Sequence, residues 1–281
     1  MHSVSPELLF WYGLALKMAM TATVVVITSL AVERSGPFVG ALIGALPTAA
    51  GAAYTILVFE HPPSFIAASA IGSVAANAAV SIFAASYAVM AQRHGLPLSL
   101  GLATVLWFAV AAALRLFDWS PLGAVALNAA VYAITIPLSW RYRSGGRPMK
   151  FVRTRLDIPL RALTVAIVVA VVTAASSSIG SFASGVFALF PIILGSSIVI
   201  LHPRIGGKTT ASMLAHAQLP LLGLGLGFLA VHYLVAPIGV WAALAAGLAV
   251  CLAWSGLLLL IQMRRRKQKR SEATSASRVG P

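Results

Sequence analysis

Five polar or charged side chains lie inside apolar stretches of the sequence, where each needs a partner, a route to water or a function. Lys17 lies in LALKMAMTATVVV and Arg161 in IPLRALTVAIVVA. The amides of Asn77 and Gln218 can both donate and accept hydrogen bonds. His216 can carry a proton near neutral pH. These side chains could attract an anion, bind a polar solute or transfer a proton.

Two apolar stretches combine proline with glycine, GALIGALPTAAGAAY around Pro47 and GVFALFPIILGSSI around Pro191. Proline removes a backbone donor and kinks a helix about one turn earlier, so the carbonyls near Ile43 and Phe187 should be free to accept a bond from a solute or ion. Glycines that allow close backbone approach flank the prolines, namely Gly44, Gly51 and Gly195. The alternative is that these residues serve only helix packing.

No catalytic or metal-binding motif is present in the sequence. His-Glu-x-x-His, GxSxG, Walker and CxxC patterns are all missing. GLGLG at 223–227 has no strand before it and is typical of close helix packing. The single cysteine, Cys251, can form no internal disulfide. We therefore expect no enzyme activity, no cofactor and no metal, and an intramembrane enzyme acting on lipid is the least supported function.

The composition indicates that lipid is the solvent for most of the chain. Of the 281 residues, 59% are hydrophobic and 9% are charged, whereas soluble domains carry about 25% charged residues. Apolar runs of about 20 residues predict membrane-spanning helices. Nine such runs are present, at 10–32, 37–59, 64–91, 96–115, 119–140, 157–177, 181–201, 209–235 and 238–262.

The basic residues predict an orientation for these spans. With the N-terminus outside, the inner loops and the C-terminal tail hold seventeen of the twenty lysines and arginines, and the outer loops hold only Arg115. Positive residues favour the cytoplasmic side, so we expect a multi-pass protein of the cytoplasmic (inner) membrane with a cytoplasmic C-terminus. The same distribution accounts for the net charge of +14 without nucleic acid, and it favours contact with anionic lipid.

The two halves of the sequence resemble each other at a separation of 144 residues. This shift aligns Lys17 with Arg161 and Pro47 with Pro191. A deletion of three residues then aligns the HP dipeptides at 61 and 202 and places Asn77 opposite Gln218. Because the first span enters from outside and the sixth from inside, the repeats should have opposite orientations. Such inverted repeats recur in secondary transporters.

The predicted fold is therefore an all-α polytopic membrane protein with about nine transmembrane helices, arranged as two inverted four-helix repeats joined by a linker helix. The predicted units are repeat 1 at 1–116, the linker helix at 117–140, a basic cytoplasmic loop at 141–156, repeat 2 at 157–262 and a basic disordered tail at 263–281.

Each polar residue has a functional and a structural interpretation. Lys17 and Arg161 either guard the two mouths of a solute path or extend to the membrane interface. Asn77 and Gln218 either face a central cavity or join helices by hydrogen bonds. His216 either carries a coupling proton or packs as a polar residue.

The sequence favours a small secondary transporter that moves an anionic or zwitterionic solute by alternating access. Its site would lie at the midplane between the second, third, seventh and eighth spans, with Lys17, Arg161 and His216 at the mouths or gates. The expected partners are membrane lipid, the small solute and a second copy of the chain, because the small-residue spans could also form a dimer interface. The alternative is a non-transporting scaffold or assembly subunit that binds lipid or a cytosolic partner through its basic loop and tail.

Overall fold

A computed structural model of the protein describes residues 37–144 and 178–279, together with positions 19, 23, 27, 30, 31, 34 and 35. Within these ranges α-helix is the only regular secondary structure. Lys17, Arg161, the predicted span 157–177 and most of the predicted span 10–32 lie outside the described residues, as does the basic loop after residue 144.

Helices follow one another through both ranges with short connections. They are α1 (Pro37–Gly44), α2 (Thr48–Glu60), α3 (Pro63–Met90), α4 (Leu96–Leu114), α5 (Pro121–Trp140), α6 (Ser178–Ala188), α7 (Ile192–Ile205), α8 (Gly207–Ile238) and α9 (Val240–Val279). Five are long and apolar enough to cross a membrane, namely α3, α4, α5, α8 and the Val240–Arg265 part of α9. Helices α6 and α7 qualify together as a sixth crossing. The chain is a helical membrane protein, as the composition predicts.

The five long helices coincide with predicted spans to within a few residues. Two other predicted spans are not continuous helices. The segment predicted at 37–59 consists of α1 and α2, and the segment predicted at 181–201 consists of α6 and α7, which are bent by 45° at their break. The total of nine spans stays a prediction, because two of them lie mainly outside the described part of the chain.

Proline and serine explain where α3 and α5 begin. Proline has no N–H to leave unpaired, so Pro63 and Pro121 are well suited to the first positions of α3 and α5. The Ser120 hydroxyl accepts the Gly123 N–H at 3.0 Å and caps α5.

Single glycines join the last three helices. Gly206 lies between α7 and α8, and Gly239 lies between α8 and α9, each with a φ of +81°. L-residues with a side chain disfavour this left-handed conformation, so glycine permits a sharp turn without an intervening loop. The long helices can therefore follow one another closely.

The two HP dipeptides, which the repeat alignment pairs, have different conformations. Helix α2 ends before His61, because the prolines at 62 and 63 disfavour a helical conformation in the residues that precede them. Helix α3 then begins at Pro63. In the second half, His202 and Pro203 lie inside α7, which continues to the Gly206 junction.

Helix α9 continues through the basic tail, where the sequence predicted no regular structure. It extends without interruption from Val240 to Val279. Alanine, arginine, lysine, glutamine and glutamate in this segment all favour helix, and the preceding transmembrane segment supplies the helix nucleus. The tail is thus an extension of the last span.

Helix α3 lies at the centre and is buried along most of its length, whereas much of α4, α5 and the spanning part of α9 is exposed. It packs against α8 in the antiparallel direction. Ala67, Asn77 and Ser81 of α3 bond in turn to His232, Leu221 and Gln218 of α8, so partner numbers fall as residue numbers rise.

Candidate functional site

The two broken helices have the same backbone geometry at their breaks. Pro47 precedes α2 with φ −76° and ψ 42°, and Pro191 precedes α7 with φ −76° and ψ 57°. The Pro47 carbonyl accepts the Gly51 N–H at 2.5 Å, and the Pro191 carbonyl accepts the Gly195 N–H at 2.8 Å. Pro47 and Pro191 therefore interrupt their helices in the same way.

The interruptions are full breaks rather than kinks, and the carbonyls expected to be free are engaged. The Ile43 carbonyl accepts the Leu46 N–H at 3.1 Å, and the Phe187 carbonyl accepts the Phe190 N–H at 3.0 Å. These short-range bonds tighten the last turns of α1 and α6. Gly44 is the final residue of α1 and lies directly before the first break.

A small cavity of about 50 Å³ lies between the two breaks and the middles of α3 and α8. Both Pro47 and Pro191 line it. The full lining is Leu46, Pro47, Ala49, Ala50, Val80, Ala188, Leu189, Phe190, Pro191, Ile192, Ile193, Leu194, Leu221 and Leu224. All of these side chains are apolar, so polar recognition here would depend on the backbone.

Two helix N-termini meet at this central cavity. The N-terminal residues Ala49 and Ala50 of α2 and Ile193 and Leu194 of α7 belong to the lining. The first N–H groups of a helix have no acceptor within the helix, and they carry the positive end of the helix dipole. These N–H groups can bind a carboxylate or another small anionic group. The C-terminal ends of α1 and α6 border the same space through Leu46 and Ala188, so helix ends of both polarities meet there.

Two larger cavities lie on the flanks of the broken helices. One, of about 450 Å³, lies between α2 and the helices α8 and α9, and the other, of about 260 Å³, lies between α7 and the helices α3 and α4. Gly51 lines the first and Gly195 lines the second. The glycines therefore border the flanks of the broken helices, while the prolines reach both the flanks and the centre.

Asn77 and Gln218 lie close together but do not line the central cavity. The Asn77 amide nitrogen lies within hydrogen-bond distance of the Asn128 side-chain oxygen, the Tyr132 hydroxyl and the Leu221 carbonyl, at 3.0–3.1 Å. Gln218 forms two bonds with Ser81, through the hydroxyl at 2.7 Å and the carbonyl at 3.0 Å. These contacts join α3, α5 and α8 and match the interpretation as interhelical hydrogen bonds.

Sequence reasoning missed three members of this polar network, Ser81, Tyr132 and Thr135. All three are buried, and the Ser81 and Thr135 hydroxyls lie 2.7 Å apart. Helical spacing could have found them, because Ser81 follows Asn77 by four residues and Tyr132 follows Asn128 by four. Within the described residues, the Asn77 side-chain oxygen is buried without a hydrogen-bond partner.

His216 lies two residues before Gln218 on α8, but its hydrogen bond and its ring contact are with residues outside this network. Its Nδ1–H donates to the Ser212 carbonyl at 2.7 Å, and its ring meets Phe38 edge-on with centroids 6.0 Å apart. The Arg143 Nε donates to the Ala215 carbonyl at 3.3 Å, and partial burial lowers the pKa of this guanidinium. His216 therefore lies beside Arg143, which follows the end of α5, and its role at a mouth or gate stays a prediction.

The structure thus brings Pro47 and Pro191 together at one cavity and joins Asn77 to Gln218 through a shared network. Lys17 and Arg161 fall outside the described residues, so their predicted role at the mouths stays a prediction. No family model, no curated protein and no solved structure matches the chain. Function is therefore inferred from the arrangement of these residues alone.

Proposed function

We propose that the protein is a secondary transporter that moves a small anionic or zwitterionic solute across the cytoplasmic membrane by alternating access. The observation that carries this proposal is the convergence of two broken helices, at Pro47 and Pro191, on one central cavity. Broken helices whose N-terminal ends face a midplane site are a recurrent means of binding anionic groups in transporters.

The spacing of the helices supports two repeats. Helix starts in the second half follow those in the first by 144 residues, at Thr48 and Ile192, Pro63 and Gly207, and Leu96 and Val240. Seven residues that line the larger flank cavity have counterparts at this separation in the smaller one. The three-residue deletion is unnecessary, so the counterpart of Asn77 is Leu221 and not Gln218.

Contacts between the halves support a two-fold relation. Gly72 packs against the Phe182 backbone, and Phe38 contacts His216. Phe182 follows Phe38 by 144 residues, and His216 follows Gly72 by 144 residues. The first-half residue of each contact therefore corresponds to the second-half residue of the other contact. A relation that exchanges the two members of each contact is a two-fold rotation.

The direction of this axis supports inversion of the repeats. Asn77 bonds to its own counterpart, Leu221, so the proposed axis passes close to that contact. Because α3 and α8 are antiparallel, the axis is perpendicular to both helices. If both helices cross the bilayer, the axis lies in the membrane plane, which is the arrangement of inverted-topology transporters.

The size of the central cavity suggests how transport proceeds. A volume of about 50 Å³ is far below the roughly 300–1,000 Å³ of typical ligand pockets. Solute must therefore enter by separation of the broken helices from α3 and α8. In this proposal α3, α5 and α8, which are joined by side-chain hydrogen bonds, form the frame, and the pairs α1–α2 and α6–α7 move. Their movement must open the contacts of Ser73 on α3 with the Tyr54 hydroxyl of α2 and the Gly185 carbonyl of α6.

The lining and the charge distribution support the solute class and the orientation. The central lining contains no acidic side chain that would repel an anion. Among the described residues, Arg93, Arg141 and Arg143 lie at one end of the spans and Arg115 at the other. This asymmetry supports a cytoplasmic location for the first three.

Flux through purified protein tests the proposal. Proteoliposomes should take up at least one radiolabelled solute from a panel of small anions and zwitterions. Ala50→Phe, which fills the central cavity, should abolish that uptake, whereas Ala130→Phe on the exposed face of α5 should retain it. Equal uptake by the well-folded Ala50→Phe protein would contradict a path through this cavity.

The scaffold alternative is favoured by one observation. Helix α9 carries the basic residues Arg264 and Arg265 beyond its apolar part and continues to Val279, which makes a rigid cationic extension on the side where the other arginines cluster. Such an extension could bind anionic lipid or an acidic protein without any transport.

A further inference from the structure

The end of the helix bundle that carries Arg115 has a cavity of about 450 Å³ that contains both a positive and a negative side chain. Arg115, at the end of α4, and Asp118, in the connection to α5, both line it. Neither forms an ion pair with any residue in the described ranges, although they are only three residues apart. The cavity thus presents two opposite charges that are both available to a ligand.

A third polar group faces the same cavity from α8. The His232 Nδ1–H donates to the Ala67 carbonyl at 2.8 Å, so the proton of the neutral ring is on Nδ1 and Nε2 is an acceptor. Asp118 and His232 together can accept hydrogen bonds from an ammonium group. Arg115 can bind a carboxylate through two parallel N–H groups.

Apolar side chains complete the lining. Ile71, Ile179 and Pro121 contribute aliphatic surface, and Trp119 is fixed by an indole hydrogen bond to the Leu114 carbonyl at 2.8 Å. The volume lies within the range of small-molecule sites, which are mostly apolar with a few polar groups that fix orientation. An apolar side chain of a ligand would have a matching surface here.

From this geometry we infer that the cavity is a binding site for a zwitterion of the α-amino-acid type with an apolar side chain. An anion without an ammonium group would meet the Asp118 carboxylate unfavourably, and a cation without a carboxylate would meet Arg115. A ligand that carries both charges satisfies both side chains at once.

The position of the cavity relates it to the solute path. Phe182 of α6 lines the cavity, and its backbone packs against Gly72 of α3. From Phe182, α6 continues toward the break at Pro191. The cavity is therefore the outer vestibule of the central site. This assignment to a path rests on the proposed function and narrows its solute class to zwitterions, whereas binding itself can be measured without flux.

Calorimetry on the full-length protein in nanodiscs tests the inference with three probes of similar size. L-leucine carries both charges, leucinamide lacks the carboxylate, and 4-methylpentanoate lacks the ammonium group. L-leucine should bind saturably, and each analogue should bind at least about tenfold more weakly, since a hydrogen bond to a charged group contributes about 1.5–3 kcal/mol.

Variants separate the two charges. Arg115→Gln and Asp118→Asn should each weaken L-leucine binding about tenfold or more, and Asp118→Glu should restore part of the loss. Arg115→Gln should not weaken leucinamide. Arg93→Gln, an exposed arginine at the opposite end of α3, is the matched control and should bind L-leucine normally.

Three results would overturn the inference: no saturable L-leucine binding, 4-methylpentanoate binding as tightly as L-leucine, or unchanged L-leucine affinity in both charge variants that keep the wild-type elution profile and helicity. L-leucine binding with the predicted variant pattern supports the site even if proteoliposomes show no uptake of any solute. That combination would contradict the proposed function instead.

Discussion

Ser81 and Gln218 are joined by two hydrogen bonds that run in opposite directions. The Ser81 hydroxyl donates to Gln218 Oε1 at 2.7 Å, and Gln218 Nε2 donates to the Ser81 carbonyl at 3.0 Å. Both side chains are fully buried. The pair therefore connects α3 to α8 in the centre of the protein, where an unpaired polar group would be costly.

We expect this pair to stabilise the frame. Gln218→Leu should lower the free energy of unfolding by about 1–3 kcal/mol, because it removes both buried bonds to Ser81 and leaves the Ser81 hydroxyl with Thr135 as a remaining side-chain partner. A double-mutant cycle with Ser81→Ala should give a coupling energy of about 0.6–1.7 kcal/mol. Circular dichroism during titration with SDS measures both quantities.

Gln92→Leu is the matched control, because among the described residues the Gln92 amide donates only to the Ala88 carbonyl, four residues earlier in the chain. We expect a change of less than about 0.5 kcal/mol. The Ser81→Ala change removes only the hydroxyl bond and keeps the backbone carbonyl that accepts the Gln218 Nε2–H. A coupling energy near zero would therefore show that the hydroxyl bond does not hold the helices together.

The contact between α3 and α6 should tolerate no added methyl group. A Cβ at Gly185 would lie 1.8 Å from the Ser69 carbonyl oxygen. Gly185→Ala should therefore destabilise the protein by about 1–3 kcal/mol through forced separation of the helices. Gly101→Ala, in open space on α4, should be neutral or slightly stabilising, because alanine favours helix. Equal stability of the two variants in the same SDS titration would contradict this close packing.

The proposed orientation, with a cytoplasmic C-terminus, predicts which loops an impermeant reagent can reach. In a Cys251→Ala background, which contains no cysteine, Leu116→Cys should react with a membrane-impermeant maleimide in intact cells. His94→Cys should react only after the membrane is permeabilised. Both positions are exposed, so accessibility depends on the side of the membrane. The reverse pattern would place the C-terminus outside.

The spans and the breaks were largely predictable from sequence, because both depend on local features. Runs of about 20 apolar residues gave the five long helices, and Pro47 and Pro191 marked the interruptions. The contact of Asn77 on α8 was not predictable, because alanine-rich and leucine-rich helices align equally well in several registers. Antiparallel packing of α3 on α8 brings Asn77 to Leu221.

The cavity lined by Arg115 and Asp118 could not be predicted from the sequence either. From the sequence, Arg115 is only a loop charge, and neither Asp118 nor His232 is singled out. Their proximity depends on how α8 packs against the α4–α5 connection, a long-range contact that no local pattern encodes. The sequence locates the breaks at Pro47 and Pro191, but the central cavity between them depends on how the helices pack in three dimensions.

Removal of the basic tail should separate a transporter from a scaffold. Truncation after Met263 deletes the tail and leaves nearly all of the apolar part of α9. We expect solute uptake in proteoliposomes to stay within about twofold of the full chain, because the cavities lie elsewhere. A transporter that lost all uptake on truncation, with normal folding, would point to an essential role of the basic helix.

The most direct test of the central claim is solute uptake by the Pro47→Ala/Pro191→Ala protein in proteoliposomes. Alanine at both positions allows α1 to continue into α2 and α6 into α7, which removes the two helix ends at the cavity. Pro137→Ala, inside α5 and away from the breaks, is the matched control. We predict that the double variant folds but loses at least about 90% of uptake, whereas Pro137→Ala keeps its uptake. A tenfold loss of rate corresponds to about 1.4 kcal/mol. Uptake by the double variant equal to that of the wild type would contradict a solute path through the paired breaks.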